Sequence, residues 1–305
     1  MHTIDGPYDT KNRLIKITNS KGSSISALLS TSKKNKLAIV CSGLGICMRR
    51  MQLPTLYYLA NGFDVLRFDP TNSDGESDGK IEDFTLTNVF LDMQDVLDYV
   101  RHNLNYENIV IFASSMSCRA AIRLGYHRKN HISAIDIISG IINVQRSIEL
   151  AAGEDLVGKT RIGKIENYEE TGNIIKNEIK YSSLLDVLEN RWDSLHVLKH
   201  EIEESKSIRF KFIYGEKDPW IEHCDIEELR KLAVDVSYIY NAVHELNFVS
   251  AKIAFHQLIN HHHTSSQSFE PTDVAEPTFG SLLSLSKIDK LLLSDGDYSH
   301  DKLGN

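Results

Sequence analysis

The chain has 305 residues and a mass of 34.6 kDa, with 41% hydrophobic and 25% charged residues, which excludes an intrinsically disordered protein and allows a sizeable core. Its 34 basic and 42 acidic residues give a formal charge of -8, which excludes a general attraction to nucleic acid or anionic lipid. No apolar run approaches the roughly 18 residues of a membrane span. Because the first ten residues are polar as well, we expect a cytoplasmic protein without a membrane span.

Cysteines and acidic loops give no sign of a metal or a disulfide. The four cysteines, at positions 41, 47, 118 and 224, lack the paired spacing of zinc ligands, and cytoplasmic thiols stay reduced. The acidic loop over residues 69–79 lacks the Asp-x-Asp-x-Asp-Gly frame of a calcium-binding loop. We therefore predict no metal site, no disulfide and no cofactor.

Predicted strands and helices alternate along most of the chain. The segments Arg13–Thr18 and Ile25–Ser30 flank a turn-forming stretch and predict an antiparallel hairpin. Later strands are short apolar runs, typical of strands covered on both faces, and helices at about 53–60, 89–100 and 117–126 separate them. The later strands are predicted at 37–41, 63–68, 109–113, 134–138, 208–214 and 236–240.

This alternation predicts an α/β fold with a doubly wound, mostly parallel sheet. Residues 142–207 are charged, show helical spacing without a clear strand and contain four glycines, so we predict a helical cap inserted over the carboxyl edge of the sheet. We expect one domain over residues 1–260 that includes this cap. A tail over residues 261–305, with a helix near 282–292, is expected to dock on that domain and to end in a frayed segment.

A serine pair lies where the predicted strand 109–113 ends and a helix begins. In α/β hydrolases the nucleophile occupies such a turn, in a Gly-x-Ser-x-Gly pattern, because small neighbours let the strand and the helix approach each other. The corresponding neighbours of Ser115 are Ala113 and Ser117, which are small but are not glycine. The spacing favours Ser115 over Ser114 and Ser117 as the nucleophile. The alternative is that a serine here only caps the helix.

A nucleophilic serine needs a base and an acid that orients the base, and this fold supplies them in the order serine, acid, histidine. Asp218 follows a predicted strand and is the expected acid, with Glu216 as its rival. His244 follows the last predicted strand and is the expected base. The pattern predicts a catalytic triad of Ser115, Asp218 and His244.

Two backbone N–H groups would complete the site as an oxyanion hole. One follows the nucleophile, at Met116, and the other belongs to Leu44 in the glycine-bearing loop after the strand 37–41. Gly43 and Gly45 would let that loop approach the reacting carbon, although turn geometry alone also explains glycine there.

These segments resemble the LuxD acyl transferase family of bacterial luminescence operons, whose members are thioesterase-like α/β hydrolases. That family also carries an Ala-x-Ser-x-Ser turn at the nucleophile. Two departures are the residues inserted after Gly45 and an Asn-Ser-Asp sequence at 72–74. The likeness spans nearly the whole chain and rests on the segments 42–44, 61–69, 82–87, 113–119, 218–220, 244–246 and 276–277.

The resemblance implies a serine acyltransferase and thioesterase that takes a long-chain acyl group, typically tetradecanoyl (myristoyl), from acyl carrier protein. The acyl group would pass through an acyl-serine at Ser115 to water or to a fatty acid reductase complex. One alternative is a thioesterase or esterase of another lipid pathway. Another is a lipid-binding protein that keeps the fold without catalysis.

A long acyl chain needs an apolar tunnel, and docking of an acidic carrier protein to this acidic chain needs a local basic patch. We predict the tunnel between the elbow at Ser115 and apolar residues of the cap. The candidates for the basic patch are Arg49, Arg50, Arg119 and Arg123, unless they are merely solvated or paired with nearby carboxylates. Several of the apolar cap residues must simply pack the cap onto the sheet, and the candidates for the tunnel wall are Ile148, Leu150, Leu184, Leu185, Val187, Leu188, Trp192, Leu195 and Leu198.

Overall fold

A computed structural model describes residues 3–232, 234–263 and 274–293 of the chain. The long apolar runs of the sequence form strands at the centre of a sheet. The strands, in chain order, are β1 (Ile4–Asp5), β2 (Lys11–Thr18), β3 (Ser24–Thr31), β4 (Lys36–Cys41), β5 (Asp64–Asp69), β6 (Asn108–Ser114), β7 (Ala134–Ile138), β8 (Thr171–Ile174), β9 (Asn177–Lys180), β10 (Arg209–Gly215) and β11 (Asp235–Ile239).

Helices connect most of these strands, as parallel neighbours in a sheet require. The long helix after β5 begins where the Thr85 side chain accepts a hydrogen bond from the N–H of Asn88. The helices are α1 (Gln52–Ala60), α2 (Leu86–Asn103), α3 (Ser117–Arg128), α4 (Val144–Ala152), α5 (Leu156–Arg161), α6 (Ser182–Glu189), α7 (Leu195–Glu203), α8 (His223–Arg230), α9 (Phe248–His263) and α10 (Phe279–Leu293).

Within the described residues, nine strands form one sheet in the order β1-β2-β3-β5-β4-β6-β7-β10-β11. The pairs β1–β2, β2–β3 and β3–β5 are antiparallel, and every later pair is parallel. The predicted hairpin is β2–β3, whose register places Thr18 opposite Ser24. The predicted doubly wound, mostly parallel α/β sheet is therefore confirmed.

Helices cover both faces of the sheet. On one face α2, α3 and α8 pack on a core cluster together with the cap, and on the other α1, α9 and α10 pack on a second cluster. This double cover explains why β4 and β6 read as nearly continuous apolar runs. None of the helices in the described part of the chain is long and apolar enough to cross a membrane.

The segment 142–207 contains the helices α4 to α7, but the expectation that it lacks a strand is wrong. The antiparallel pair β8–β9 lies between α5 and α6. Both strands have four residues, and the two residues of their turn, Ile175 and Lys176, adopt positive φ angles of 49° and 63°. Such turns usually carry Asn or Gly, so Ile175 and Lys176 do not indicate a turn.

Helix α10 is the described part of the predicted tail. It packs against α1 and β2, and its buried side chains include Leu285 and Ile288. The expected frayed end falls on residues 294–305, which lie outside the described residues. An ion pair between Arg67 on β5 and Asp289 on α10 is almost completely buried, with side-chain exposures of 1% and 3%.

Candidate active site

A strained turn joins β6 to α3 and carries Ser115. Its φ angle of 50° lies in the left-handed region, which costs a non-glycine residue about 1–3 kcal/mol. The Ser115 N–H donates to the carbonyl of Ile138 on the neighbouring strand at 3.2 Å, which anchors the turn at the carboxyl edge of the sheet. This conformation directs the hydroxyl group out of the sheet, as a nucleophile elbow requires.

A hydrogen-bond chain joins the three side chains predicted to form a triad. His244 Nε2 lies 2.9 Å from Ser115 Oγ, and His244 Nδ1 lies 2.7 Å from Asp218 Oδ2. Because an ionised carboxylate only accepts hydrogen bonds, Asp218 favours the imidazole tautomer with the proton on Nδ1. Nε2 is then free to accept the proton of the serine hydroxyl.

The histidine is held from several sides. Its ring centroid lies 4.4 Å from that of the Trp220 ring, and the backbone N–H of Trp220 donates to Asp218 Oδ1 at 3.0 Å. Ser139 Oγ donates to the His244 carbonyl at 2.9 Å. A Cβ at Gly215 would lie 2.6 Å from two carbonyl oxygens of the segment before His244, so glycine at the end of β10 lets this segment lie close. Sequence analysis did not identify Trp220 or Ser139 as supports of the base.

None of the rival candidates for the acid or the nucleophile contacts His244 through a side-chain hydrogen bond among the described residues. Glu216 accepts a hydrogen bond from the N–H of Asn241 at 2.9 Å. Ser117 Oγ donates to the carbonyl of Ser114 at 2.8 Å, at the start of α3. The Ser114 hydroxyl is buried and has no hydrogen-bond partner among the described residues. Of the three serines, Ser115 is the one whose hydroxyl contacts the imidazole of His244.

The two backbone groups expected to form an oxyanion hole flank the same hydroxyl. The loop after β4 lies directly against the elbow, since a Cβ on Gly43 would come within 2.8 Å of Ser115 Cβ. Within the described part of the chain, neither the Leu44 N–H nor the Met116 N–H donates a hydrogen bond. Unsatisfied N–H groups beside a nucleophile are the donors that a developing oxyanion needs.

A cavity of about 630 Å³ opens beside Ser115 and His244. This volume lies within the usual range for a site that binds a small molecule. Its inner wall is formed by apolar residues from the start of α1, from β6 and β7, and from one face of α9. These inner residues are Leu53, Pro54, Phe112, Ile138, Ala251 and Phe255.

The apolar residues of the cap helices that were candidates for the tunnel wall do not line this cavity. The cap contributes to this cavity through the β8–β9 turn, residues 175–177. The apolar faces of the cap helices pack into the core instead, because an amphipathic helix on a sheet must bury its own apolar side. Of the residues expected to line the tunnel, those buried in the core are Ile148, Leu184, Val187, Trp192 and Leu198.

Two of the four arginines predicted to dock a carrier protein are largely buried and paired with a carboxylate, with side-chain exposures of 0% for Arg119 and 11% for Arg123. Arg119 is fully buried, with Nη1 3.6 Å from Glu201, and burial lowers the pKa of its guanidinium to about 10. Arg123 donates to the same carboxylate at 2.6 Å and stacks on Trp192 with its guanidinium carbon 3.5 Å from the ring centroid. Both arginines fasten α3 to the cap, as the alternative of pairing with nearby carboxylates anticipated.

The other two arginines lie near the cavity mouth. Arg49 forms an ion pair with Glu76 at 2.6 Å. Arg50 is exposed and lines the mouth together with Lys176, which pairs with Glu245 at 3.1 Å. No group of three His, Cys, Asp or Glu side chains that could bind a metal ion occurs among the described residues.

Comparison with known proteins places this site in a family. The family model described as acyl transferase matches residues 11–259. The chain belongs to the acyl transferase family. Similar members are an acyl transferase of Photobacterium phosphoreum, 25% identical over 69% of this chain and 67% of that protein, and one of Aliivibrio fischeri, 25% identical over 65% of this chain and 62% of that protein. The matched segments thus span about two thirds of the length of these curated relatives.

Among solved structures, this chain is similar to Est1E from Butyrivibrio proteoclasticus with bound ferulic acid. The TM-score is 0.66 at 16% identity, over 82% of this chain and 98% of that one. This likeness shows the α/β-hydrolase fold alone. The family match confirms the resemblance seen in the sequence and the prediction of an enzyme of the acyltransferase and hydrolase class.

Proposed function

We propose that this protein takes a long-chain acyl group, such as tetradecanoyl, from the thioester of acyl carrier protein and passes it on through an acyl-serine at Ser115. The acceptor is water or a fatty acid reductase complex. The observation that carries this proposal is the continuous hydrogen-bond chain from Ser115 through His244 to Asp218, placed at the opening of an apolar cavity.

The mechanism follows from the direction of these hydrogen bonds. As Ser115 Oγ attacks the thioester carbon, His244 Nε2 takes the hydroxyl proton and becomes an imidazolium that Asp218 stabilises. The carbonyl oxygen then carries the negative charge and accepts hydrogen bonds from the N–H groups of Leu44 and Met116. Each such donor contributes about 3 kcal/mol of transition-state stabilisation.

The tetrahedral intermediate collapses when the carbon–sulfur bond breaks, and the proton on His244 Nε2 passes to the departing thiol. An acyl-serine ester remains, and His244 is neutral again. In the second half, His244 removes a proton from water or from a nucleophile of the acceptor, which attacks the ester; the bond between the acyl carbon and Ser115 Oγ then breaks, and His244 returns the proton to Oγ. The lifetime of the ester decides between hydrolysis and transfer.

A direct experiment is intact-mass analysis of the protein after mixing with tetradecanoyl-acyl carrier protein and rapid acid quenching. We expect a mass increase of one tetradecanoyl group, assigned by fragmentation to the peptide that contains Ser115. Octanoyl-acyl carrier protein serves as the comparison for chain length. Thioester consumption without any adduct on this peptide, or an adduct at another residue, would contradict the proposed intermediate.

Docking of the carrier protein is proposed at the basic side of the cavity mouth, at Arg50. Charge reversal in Arg50→Glu is expected to raise KM for the carrier-bound substrate by roughly tenfold, because repulsion slows the encounter with an acidic partner. The effect should shrink in high salt and should be smaller for the uncharged N-acetylcysteamine thioester. Arg101→Glu, which changes an exposed arginine at the far end of α2, is the matched control. An equal KM for Arg50→Glu and the wild type would rule out docking at this residue.

A further inference from the structure

The cavity beside Ser115 extends inward along one face of the sheet. Phe112 and Ser114 alternate with Ala113 on β6, so both point toward the face that α1 and α9 cover, and both line the cavity. The cavity therefore begins at the elbow and runs back beneath the first turns of α9. The segments 44–46, 175–177 and 244–246 line much of the rest of it.

An aromatic cluster closes the inner end. The rings of Phe112 and Phe255 are 5.6 Å apart, and Phe255 also stacks on Tyr57 at 5.5 Å. Tyr58 contacts Phe112 edge-on at 6.4 Å. The four side chains are almost completely buried, with exposures between 0% and 5%. Because closely packed aromatic rings have little freedom to move, this cluster forms a fixed end wall.

The polarity of the lining changes from the mouth to this wall. Arg50, Lys176, Asn177 and Glu245 lie around the mouth, whereas the buried part of the lining beyond the serine and histidine of the triad is apolar apart from Ser114 and Ser139. A substrate that matches this gradient has a polar thioester arm outside the reacting carbon and a hydrocarbon chain inside. A second apolar void behind Leu44 has a volume of only about 10 Å³, which is too small for a chain.

We infer that the acyl chain of the substrate lies in this cavity with its terminal methyl group against the Phe112–Phe255 pair, and that Ala251 and Phe255 determine the longest chain accepted. Ala251 and Phe255 are four residues apart on α9, and therefore on one face, so Ala251 lies on the wall one turn closer to the start of the helix. This inference rests on the proposed acyl-transfer function and adds where the chain lies and what limits its length.

The test is a chain-length series of N-acetylcysteamine thioesters, from octanoyl to hexadecanoyl, with the variant Ala251→Leu. The larger side chain would take the space of two or three methylene groups, so the ratio of kcat/KM for tetradecanoyl to that for octanoyl should fall roughly tenfold or more. Ala254→Leu is the matched control, since Ala254 is fully buried on the same helix but does not line the cavity. Ala254→Leu adds the same side-chain volume to this helix but places it in the core, and it should leave the ratio of kcat/KM values unchanged.

The opposite change is Phe255→Ala, or Phe255→Leu if the first variant does not fold. Either should move the preferred substrate toward longer chains by opening the end wall. A chain-length ratio that is unchanged in Ala251→Leu, or changed equally in Ala254→Leu, would overturn the inference.

A binding measurement separates this inference from the proposed catalysis. The affinities of tetradecanoate and octanoate for Ser115→Ala are measured by calorimetry, with and without Ala251→Leu. We expect the affinity for tetradecanoate to fall roughly tenfold and that for octanoate to fall less. If no thioester is turned over but this difference is found, the proposed function fails and the acyl site stands. If turnover is normal but the difference is absent, the acyl site fails and the proposed function stands.

Discussion

Replacement of Ser115 with alanine is expected to lower kcat for an acyl thioester by at least about 10⁴-fold. The variant keeps the cavity, the two N–H donors and the His244–Asp218 pair but removes the atom that forms the acyl-enzyme. Residual activity would come from attack by water assisted by the oxyanion hole. Steady-state rates with a thioester and labelling with a fluorophosphonate probe both measure this loss, and labelling does not depend on the identity of the substrate.

Ser114→Ala is the matched control for this variant. The Ser114 hydroxyl is buried beside the elbow and has no hydrogen-bond partner among the described residues, so its removal should cost less than about tenfold in kcat. Probe labelling should persist in Ser114→Ala and disappear in Ser115→Ala. If Ser115→Ala retained labelling while Ser114→Ala lost it, the nucleophile would be Ser114 and the hydrogen bond to His244 would have another purpose.

Much of the architecture was accessible from the sequence because the central strands are buried on both faces. The apolar runs before Ser42 and before Ser114 correspond to β4 and β6 to within a residue at each end. The β8–β9 pair was missed for the opposite reason. Its strands are short, partly exposed and polar, and packing of Ile174 and Ile179 against the core stabilises a turn that its own residues do not favour.

The geometry of the site was predictable where it depends on chain order and unpredictable where it depends on packing. Ser115, Asp218 and His244 lie at the ends of three different strands, and the order of these strands brings the side chains together. Spacing placed Arg119 and Arg123 on one face of α3 but could not show that α7 covers this face. The contact between α3 and α7 depends on Glu201, which is distant in sequence from both arginines.

The apolar spacing in the sequence also indicates the cavity wall on α9. Phe248, Ala251 and Phe255 recur at intervals of three and four residues directly after His244, which indicates one apolar face next to the base. The cap contains many more apolar residues than this face, and composition therefore favours the cap as the tunnel wall. Those residues were needed to pack the cap itself, which composition alone does not reveal.

A buried network behind the oxyanion loop links the active site to helix α10. Met48 lies just after this loop, and its N–H donates to Asp69 Oδ1 at 2.6 Å while its carbonyl accepts from Arg67 Nη1 at 3.3 Å. The guanidinium of Arg67 forms two hydrogen bonds with Asp289 on α10, and Gln52 donates to the same carboxylate at 3.1 Å. Helix α10 thus stabilises the segment that precedes α1.

Asp289→Ala is therefore expected to lower the free energy of unfolding by about 3–5 kcal/mol, because it leaves the Arg67 guanidinium buried without its counter-charge. Urea titration measures this loss as a lower midpoint with an unchanged m value. Glu227→Ala, which breaks the exposed pair with Arg230, should cost less than about 1 kcal/mol and serves as the control.

The double variant Arg67→Met, Asp289→Leu shows whether the loss of stability in Asp289→Ala comes from the unpaired charge or from lost packing. If the loss in Asp289→Ala comes from the unpaired guanidinium, two apolar side chains of similar volume should restore most of the stability. If the double variant is as unstable as the single one, the hydrogen bonds to Met48 and Gln52 carry the stabilisation instead. A loss below about 1 kcal/mol in Asp289→Ala would mean that α10 is not held through this ion pair, and the link to the oxyanion loop would have to run through its apolar contacts alone.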